Sequence, residues 1–309
     1  MKLRLLLLSL LSVSTALACI NTTETHLEAD TQGEALLKRV ATPPKEAYQH
    51  RLQLPATTPS RRLEVEALNF IAAGNYQAAL PLLQKAEATA PGSYSIAANL
   101  GTTYELTGNN TEALRWIKEA IRRNPKSHQG TEWVHVLILE AKVRNATQPA
   151  AAPLVSLLVL PEILTADTLI HAGQTTRPAK DVRFAIGYQL NERLVFVKPT
   201  DPYVADLLFT LAFLDAHLAR VQPADHLTKR VVLVKPTNSP AADPGVNQAM
   251  LAANLAKIKS AQTLLTLAER YGYSDPIRIG SLRAVIDQEL ARLAPQPAVK
   301  QSSGYQASR

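Results

Sequence analysis

A chain of 309 residues that is 46% hydrophobic and 19% charged can bury a sizeable core, as one extended array or as two domains. Its formal charge of +7 is spread thinly: no run of Lys and Arg exceeds two residues, and basic stretches interleaved with aromatics are missing. That pattern argues against nucleic acid as a partner and reads as solubility with mild attraction to anionic surfaces, while the single cysteine excludes an internal disulfide.

Met1-Lys2-Leu3-Arg4 is a short basic start, followed by the apolar run Leu5–Leu11 and by small residues ending in Ala16-Leu17-Ala18-Cys19. A basic start, an apolar core and an A-x-A site predict a secretory signal peptide over 1–18, hence an exported product. The run is shorter than the ~20 apolar residues a membrane span needs. Cys19 directly follows the expected cleavage point. This resembles a bacterial lipobox, although Ala16 stands where that motif favours Leu. The resemblance implies a lipid-modified Cys19 and a membrane-anchored protein of the bacterial cell envelope facing the periplasm. Ordinary cleavage, with Cys19 as an incidental first residue of a soluble periplasmic product, is the alternative.

Residues 19–60 are polar and Thr-rich, broken by Pro43-Pro44, Pro55 and Pro59, and read as a flexible tether. Within it, Glu34–Val40 has room for two helical turns. Asn21-Thr22-Thr23 and Asn145-Ala146-Thr147 match the glycosylation sequon, which matters only in a eukaryotic secretory route.

Between Arg61 and Pro125 one pattern occurs twice, with Pro91 and Pro125 closing the copies 34 residues apart. Ala67 aligns with Gly101, Phe70 with Tyr104, Gly74 with Gly108, Ala79 with Ala113, Leu83 with Ile117 and Ala86 with Ala120. Small residues at the first and fourth of these positions let two antiparallel helices approach closely, and the aromatic and aliphatic residues fill the wider gaps. Gly74-Asn75 and Gly108-Asn109 are turn signals, and each Pro ends a second helix. The pattern resembles the tetratricopeptide repeat, a helix–turn–helix unit with this period. The expected fold is therefore all-α: an α-solenoid of helical hairpins over 61–145, extended by a C-terminal helical region, with room for one short strand pair. Ser127–Val143 reads as the first helix of a degenerate third repeat. Each hairpin leaves an apolar face that further helices must cover.

The resemblance also implies where a partner would lie. The groove positions of the family's first helices fall on Arg61, Glu64, Leu68, Ile71 and Ala72 in one repeat, and on Ser95, Ala98, Thr102, Glu105 and Leu106 in the next. Leu68, Ile71 and Leu106 would form an apolar strip edged by Glu64 and Glu105. The subfamily that grips a C-terminal carboxylate carries Lys and Asn where Glu64 and Leu68 stand here, so a neutral or mixed extended segment is expected instead. Asn99 does match that subfamily's second-repeat Asn, which is common in the repeat generally.

Residues 146–180 read as a linker beginning with the Ala/Pro/Gln stretch Asn145–Pro153. Leu154–Leu160 is its strand candidate and Thr175–Pro178 a loop. Residues 181–294 return to helical periodicity. Val182, Ile186, Leu190, Leu194 and Val197 form one stripe. Asp201-Pro202 starts a helix buried through Leu207, Leu208, Leu211, Leu214 and Leu218. Gln222–Val234 is ambiguous and Pro236–Gly245 a loop. Val246–Tyr271 places Leu251, Leu255, Ile258, Leu264, Leu265 and Ala268 inward and forms a hairpin with a helix opened by Ser274-Asp275-Pro276. Residues 295–309 read as a disordered tail.

The chemical motifs of common enzymes are missing: there is no H-E-x-x-H, P-loop, G-x-S-x-G or Gly-rich dinucleotide fingerprint. His128 and His135, two helical turns apart, are too distant for a shared metal without a third ligand and read as surface or capping residues. Asp225-His226 and Asp215-x-His217 point their side chains apart on a helix and read as exposed polar pairs. Tyr188–Arg193 reads as a buried polar anchor. The expectation is a non-catalytic cell-envelope scaffold, without cofactor or metal, that binds a peptide or protein partner. The alternative is an envelope enzyme or ligand-binding protein with its site in 154–234, the repeats being an accessory module.

Overall fold

A computed structural model of the chain describes residues 33–44, 46, 56–147, 156–162, 164–165, 167–220 and 244–293. The signal segment, Cys19, the ambiguous stretch Gln222–Val234 with Asp225-His226, and the C-terminal tail lie outside these residues. The described residues form two compact units, one over 43–147 and one combining 33–42 with 156–293.

The first helix, α1 (Gly33–Ala41), lies within the stretch read as a tether yet belongs to the second unit. Leu36 is fully buried, and the Gly33 N–H donates to Ser260 Oγ at 2.8 Å. The two turns that Glu34–Val40 allows are thus docked, because Leu36 and Val40 lie four apart on one apolar side.

The first unit is built from four helices in two hairpins: α2 (Pro59–Ala72) with α3 (Tyr76–Thr89), and α4 (Tyr94–Leu106) with α5 (Asn110–Arg123). Gly74 at φ 76° and Gly108 at φ 87° occupy the left-handed region at the two turns. Asn75 and Asn109 then cap the following helices, their Oδ1 atoms accepting from the N–H groups of Ala78 and Glu112 at 3.2 Å. The small and large residues of the repeat meet as the pattern requires, with Ala67, Ala79, Leu83, Ala86, Ala113, Ile117 and Ala120 all fully buried. One contact differs from expectation. A Cβ on Gly101 would sit 2.6 Å from the Ile117 side chain and 3.1 Å from its backbone nitrogen, so Ile117 rather than Ala113 is what Gly101 meets on α5. Arg123 ties the hairpins together, donating to the Glu87 carboxylate at 2.7 and 2.9 Å and to the Ser93 carbonyl at 2.7 Å. A 3-10 turn (Ser127–Gly130) leads into α6 (Glu132–Asn145), which packs on α5 through Leu139 as the first helix of a further repeat would.

In the second unit the strands fall elsewhere than expected. Of the strand candidate Leu154–Leu160, residues 156–160 contribute only an isolated bridge between Val159 and His171. Instead β1 (Leu169–Ala172) pairs antiparallel with β2 (Thr175–Pro178), the stretch read as a loop, through the two-residue turn Gly173-Gln174. Gly173 takes φ 63°, which suits a tight hairpin, whereas the mainly apolar stretch Leu154–Leu160 carries no turn signal.

Helix α7 (Ala179–Arg193) follows β2 directly. Asp201 caps α8 (Pro202–Leu218), accepting from the N–H groups of Tyr203 and Val204 at 3.0 and 2.8 Å. The long helix α9 (Pro244–Arg270) packs most extensively against α8 and only secondarily against α10 (Pro276–Leu293). The last two helices are therefore part of a bundle around α8 rather than a self-contained hairpin. Consistent with that, Leu251 is exposed, since the stretch around Ile258–Tyr271 supplies the buried face.

Candidate functional site

The groove residues of the two repeats divide into covered and accessible sets. Glu64, Leu68, Ile71 and Ala98 are buried, while Thr102, Glu105 and Leu106 are half-buried. Leu68 and Ile71 thus do not present an open apolar strip. The physical reason is their phase: Glu64, Ala67, Leu68, Ile71 and Ala72 recur at i, i+3, i+4, i+7 and i+8, the stripe that faces a core. The same stripe explains Glu64, whose carboxylate accepts from Arg61 Nη1 at 2.5 Å and from Asn99 Nδ2 at 3.1 Å. It links α2 to α4 instead of meeting solvent. On α4, residues 95–101 are buried on every face, so accessibility is limited to Tyr94 at its start and to the C-terminal turn around Thr102 and Leu106.

At that turn Glu105 enters a buried ionic cluster. Its Oε1 accepts from Lys142 Nζ at 2.8 Å, and its Oε2 pairs with His135 Nε2 at 2.7 Å. His135 Nδ1 lies 3.4 Å from Glu132, whose other oxygen pairs with His128 Nδ1. His128 and His135, read from sequence as surface or capping residues, are both largely buried and converge on one carboxylate. Glu132 lies four residues after His128 and three before His135, a helical spacing that places it between them and that sequence reasoning passed over. Among the described residues, no three His, Cys, Asp or Glu side chains are grouped so as to hold a metal ion.

Burial opposes the charge on Glu132, but the two histidines outweigh it and hold the carboxyl well below its ordinary value of 4.5. A carboxyl depressed in the folded state contributes stability above its unfolded value that is lost as pH falls below it. Urea midpoints should therefore fall steadily from about pH 5 toward pH 3, and Glu132→Gln should flatten that slope. An unchanged slope in Glu132→Gln would show that other carboxyls carry the acid sensitivity.

The match to known families falls on this same segment: residues 70–130 fit the model of the tetratricopeptide repeat. Residues 70–130 are therefore tetratricopeptide-repeat sequence. Neither a curated protein nor a solved structure is similar enough to the chain to match it. The matched segment runs from Phe70 near the end of α2 to Gly130 at the 3-10 turn, so it spans the α3, α4 and α5 helices. Tetratricopeptide repeats generally mediate contact between proteins and are typically non-catalytic.

Among the described residues of the second unit, three carboxylates are buried: Asp206, Asp215 and Glu289, the last paired with Arg220 and Arg292. Asp215, read as exposed, is fully buried. It accepts from Ser260 Oγ at 2.7 Å and from Arg183 Nε, joining α7, α8 and α9, while Ser260 in turn receives the Gly33 N–H of α1. Burial pushes its carboxyl up despite Arg183. Its neighbour His217 bonds the Phe213 carbonyl through Nδ1 at 2.8 Å, and burial lowers the imidazole. The expected polar anchor on α7 is buried at Tyr188, Gln189 and Arg193.

Asp206, one helical face away on α8, accepts from Ser156 Oγ and from the Leu157 N–H, both at 2.9 Å. Burial raises this carboxyl too, against those two bonds and the charge of Arg278. Beside it the Tyr273 ring stacks on Phe209 with centroids 4.3 Å apart, and the Arg278 guanidinium lies 4.7 Å from the centre of the Phe209 ring. Asp275 caps α10 through the N–H groups of Ile277 and Arg278. Asp206, Tyr273, Asp275 and Arg278 border a cleft of about 390 Å³.

Proposed function

We propose that the protein is an exported, non-catalytic scaffold of the bacterial cell envelope that holds a peptide or protein partner against the first helices of its repeats. The observation that carries this reading is the repeat segment itself, two hairpins within a module that elsewhere serves protein–protein contact. Thr102 and Leu106, four residues apart and half-exposed, form the accessible end of the contact, and Glu105, held by His135 and Lys142, fixes its edge. Glu64, Leu68, Ile71 and Ala98 lie beneath it and set the helix positions. The partner is an extended segment without a required C-terminal carboxylate, held with an affinity on the order of micromolar, or about −8 kcal/mol.

Thr102→Arg combined with Leu106→Glu tests the contact. Affinity capture of the partner by the mature protein should weaken at least about tenfold, a change of ~1.4 kcal/mol, with the helical circular dichroism and melting temperature unchanged. Undiminished capture by this folded double variant would remove the contact from α4.

Attachment to the membrane through Cys19 belongs to the same reading. Two or more acyl chains make a stable anchor where one is marginal, at about 0.8 kcal/mol per buried CH₂. Cys19→Ser should move the protein from the membrane to the soluble fraction. Mass spectrometry finding an unmodified Cys19 on a soluble wild-type product would reject the anchor.

A further inference from the structure

The cleft between the start of α8 and the start of α10 is unrelated to the repeats, and its polar groups do not satisfy one another. Among the described residues, the Arg278 guanidinium makes no hydrogen bond or ion pair; its carbon lies over the Phe209 ring, 4.7 Å from the centre, and 6.0 Å from the centre of Tyr273. A guanidinium stacked on a ring keeps its planar fork of N–H donors free, and that fork matches a carboxylate. Tyr273 Oη is buried without a hydrogen-bond partner among the described residues. Burial pushes its hydroxyl up to about 12, so it is a donor at neutral pH. On the acceptor side stand Asp206 and Asp275. Each Asp206 oxygen accepts one hydrogen bond and has room for another, and Asp275 uses only Oδ1 in capping.

We propose that this cleft binds a free α-amino acid, its carboxylate on Arg278 and the Tyr273 hydroxyl and its ammonium facing Asp206 and Asp275. The charge pattern selects against the simpler alternatives. An anion alone, such as phosphate, meets two carboxylates around a single guanidinium. A cation alone leaves Arg278 and Tyr273 unanswered. A ligand carrying both charges a few ångströms apart answers all four groups. The volume agrees: about 390 Å³ is near the lower end of the ~300–1,000 Å³ range of small-molecule sites, too small for a dinucleotide and ample for one amino acid.

The test is thermal-shift and calorimetric titration of the mature protein with each of the twenty free amino acids, beside the corresponding carboxylates lacking the amine. At least one amino acid should raise the melting temperature saturably, and its amine-free counterpart should bind at least tenfold more weakly. Arg278→Gln should abolish the shift. Tyr273→Phe, which retains the stack on Phe209 and removes only the hydroxyl, should weaken binding several-fold and decides the matter if Arg278→Gln proves unstable. Arg283→Gln, which breaks an ion pair to Glu269 on the exposed face of α10, should leave binding unchanged. The proposal is overturned if no amino acid binds, if the amine-free carboxylates bind as well, or if affinity survives in the folded Arg278 and Tyr273 variants.

Discussion

Arg183→Ala should destabilise the second unit by about 3–5 kcal/mol, the expected cost of leaving one member of a buried ion pair without its partner. Asp215 is fully buried, and Arg183 is the only cation hydrogen-bonded to it among the described residues. The effect should spread through the unit, because Asp215 and Ser260 join α1, α7, α8 and α9. The pH dependence distinguishes lost charge compensation from lost packing. A carboxyl raised in the folded state contributes most below its unfolded value of 3.8, and that contribution is lost as pH rises through its folded value. Without Arg183 the carboxyl rises further, so the variant should regain stability relative to wild type on acidification toward pH 4. Lys180→Ala, which removes an exposed pair with Asp167, should cost under about 0.5 kcal/mol. Equal urea midpoints for the Arg183 and Lys180 variants would contradict the role given to Asp215.

Gly101→Leu should destabilise the first unit by roughly 2–4 kcal/mol, since overpacking typically costs 1–3 kcal/mol and here includes a backbone neighbour. Even a methyl group at this position must displace the Ile117 side chain. Glycine inside an exposed helix behaves oppositely. Gly280 on α10 is exposed, and a Cβ there meets nothing within 4 Å, so Gly280→Ala should stabilise by about 0.5–1 kcal/mol through helix propensity alone. The pair separates close approach from conformational entropy. Wild-type stability in Gly101→Leu would show that α4 and α5 do not meet at Gly101.

Local signals in the sequence carried most of the fold. Turn glycines and the asparagine and aspartate caps are each decided within a few residues, and Gly74, Asn75, Asp201 and Asp275 all sit where that chemistry places them. What escaped was long-range pairing. Arg183, Asp215 and Ser260 are far apart in the chain, and nothing in their neighbourhoods names the partners. Asp215 did leave one trace: it interrupts a helix that is apolar on all sides, and such a helix is buried together with any charge it carries. The burial of Leu68 and Ile71 escaped for a related reason. Positions transferred by family resemblance put Leu68 and Ile71 in the open, whereas their own periodicity with Ala67 and Ala72 assigned them to the core. The short strand pair was expected but its position was missed, because four-residue strands lie below the length at which alternation is readable and Gly173 was the main cue.

Site-specific photocross-linking in intact cell envelopes tests the central reading most directly. A photoreactive amino acid would replace Leu106 at the accessible end of α4 or, separately, Ala284 on the exposed side of α10. If the repeats hold the partner, position 106 should yield a discrete adduct with one protein, and position 284 should yield none. An adduct at 284 with nothing at 106 would contradict the account and place the partner on the second unit.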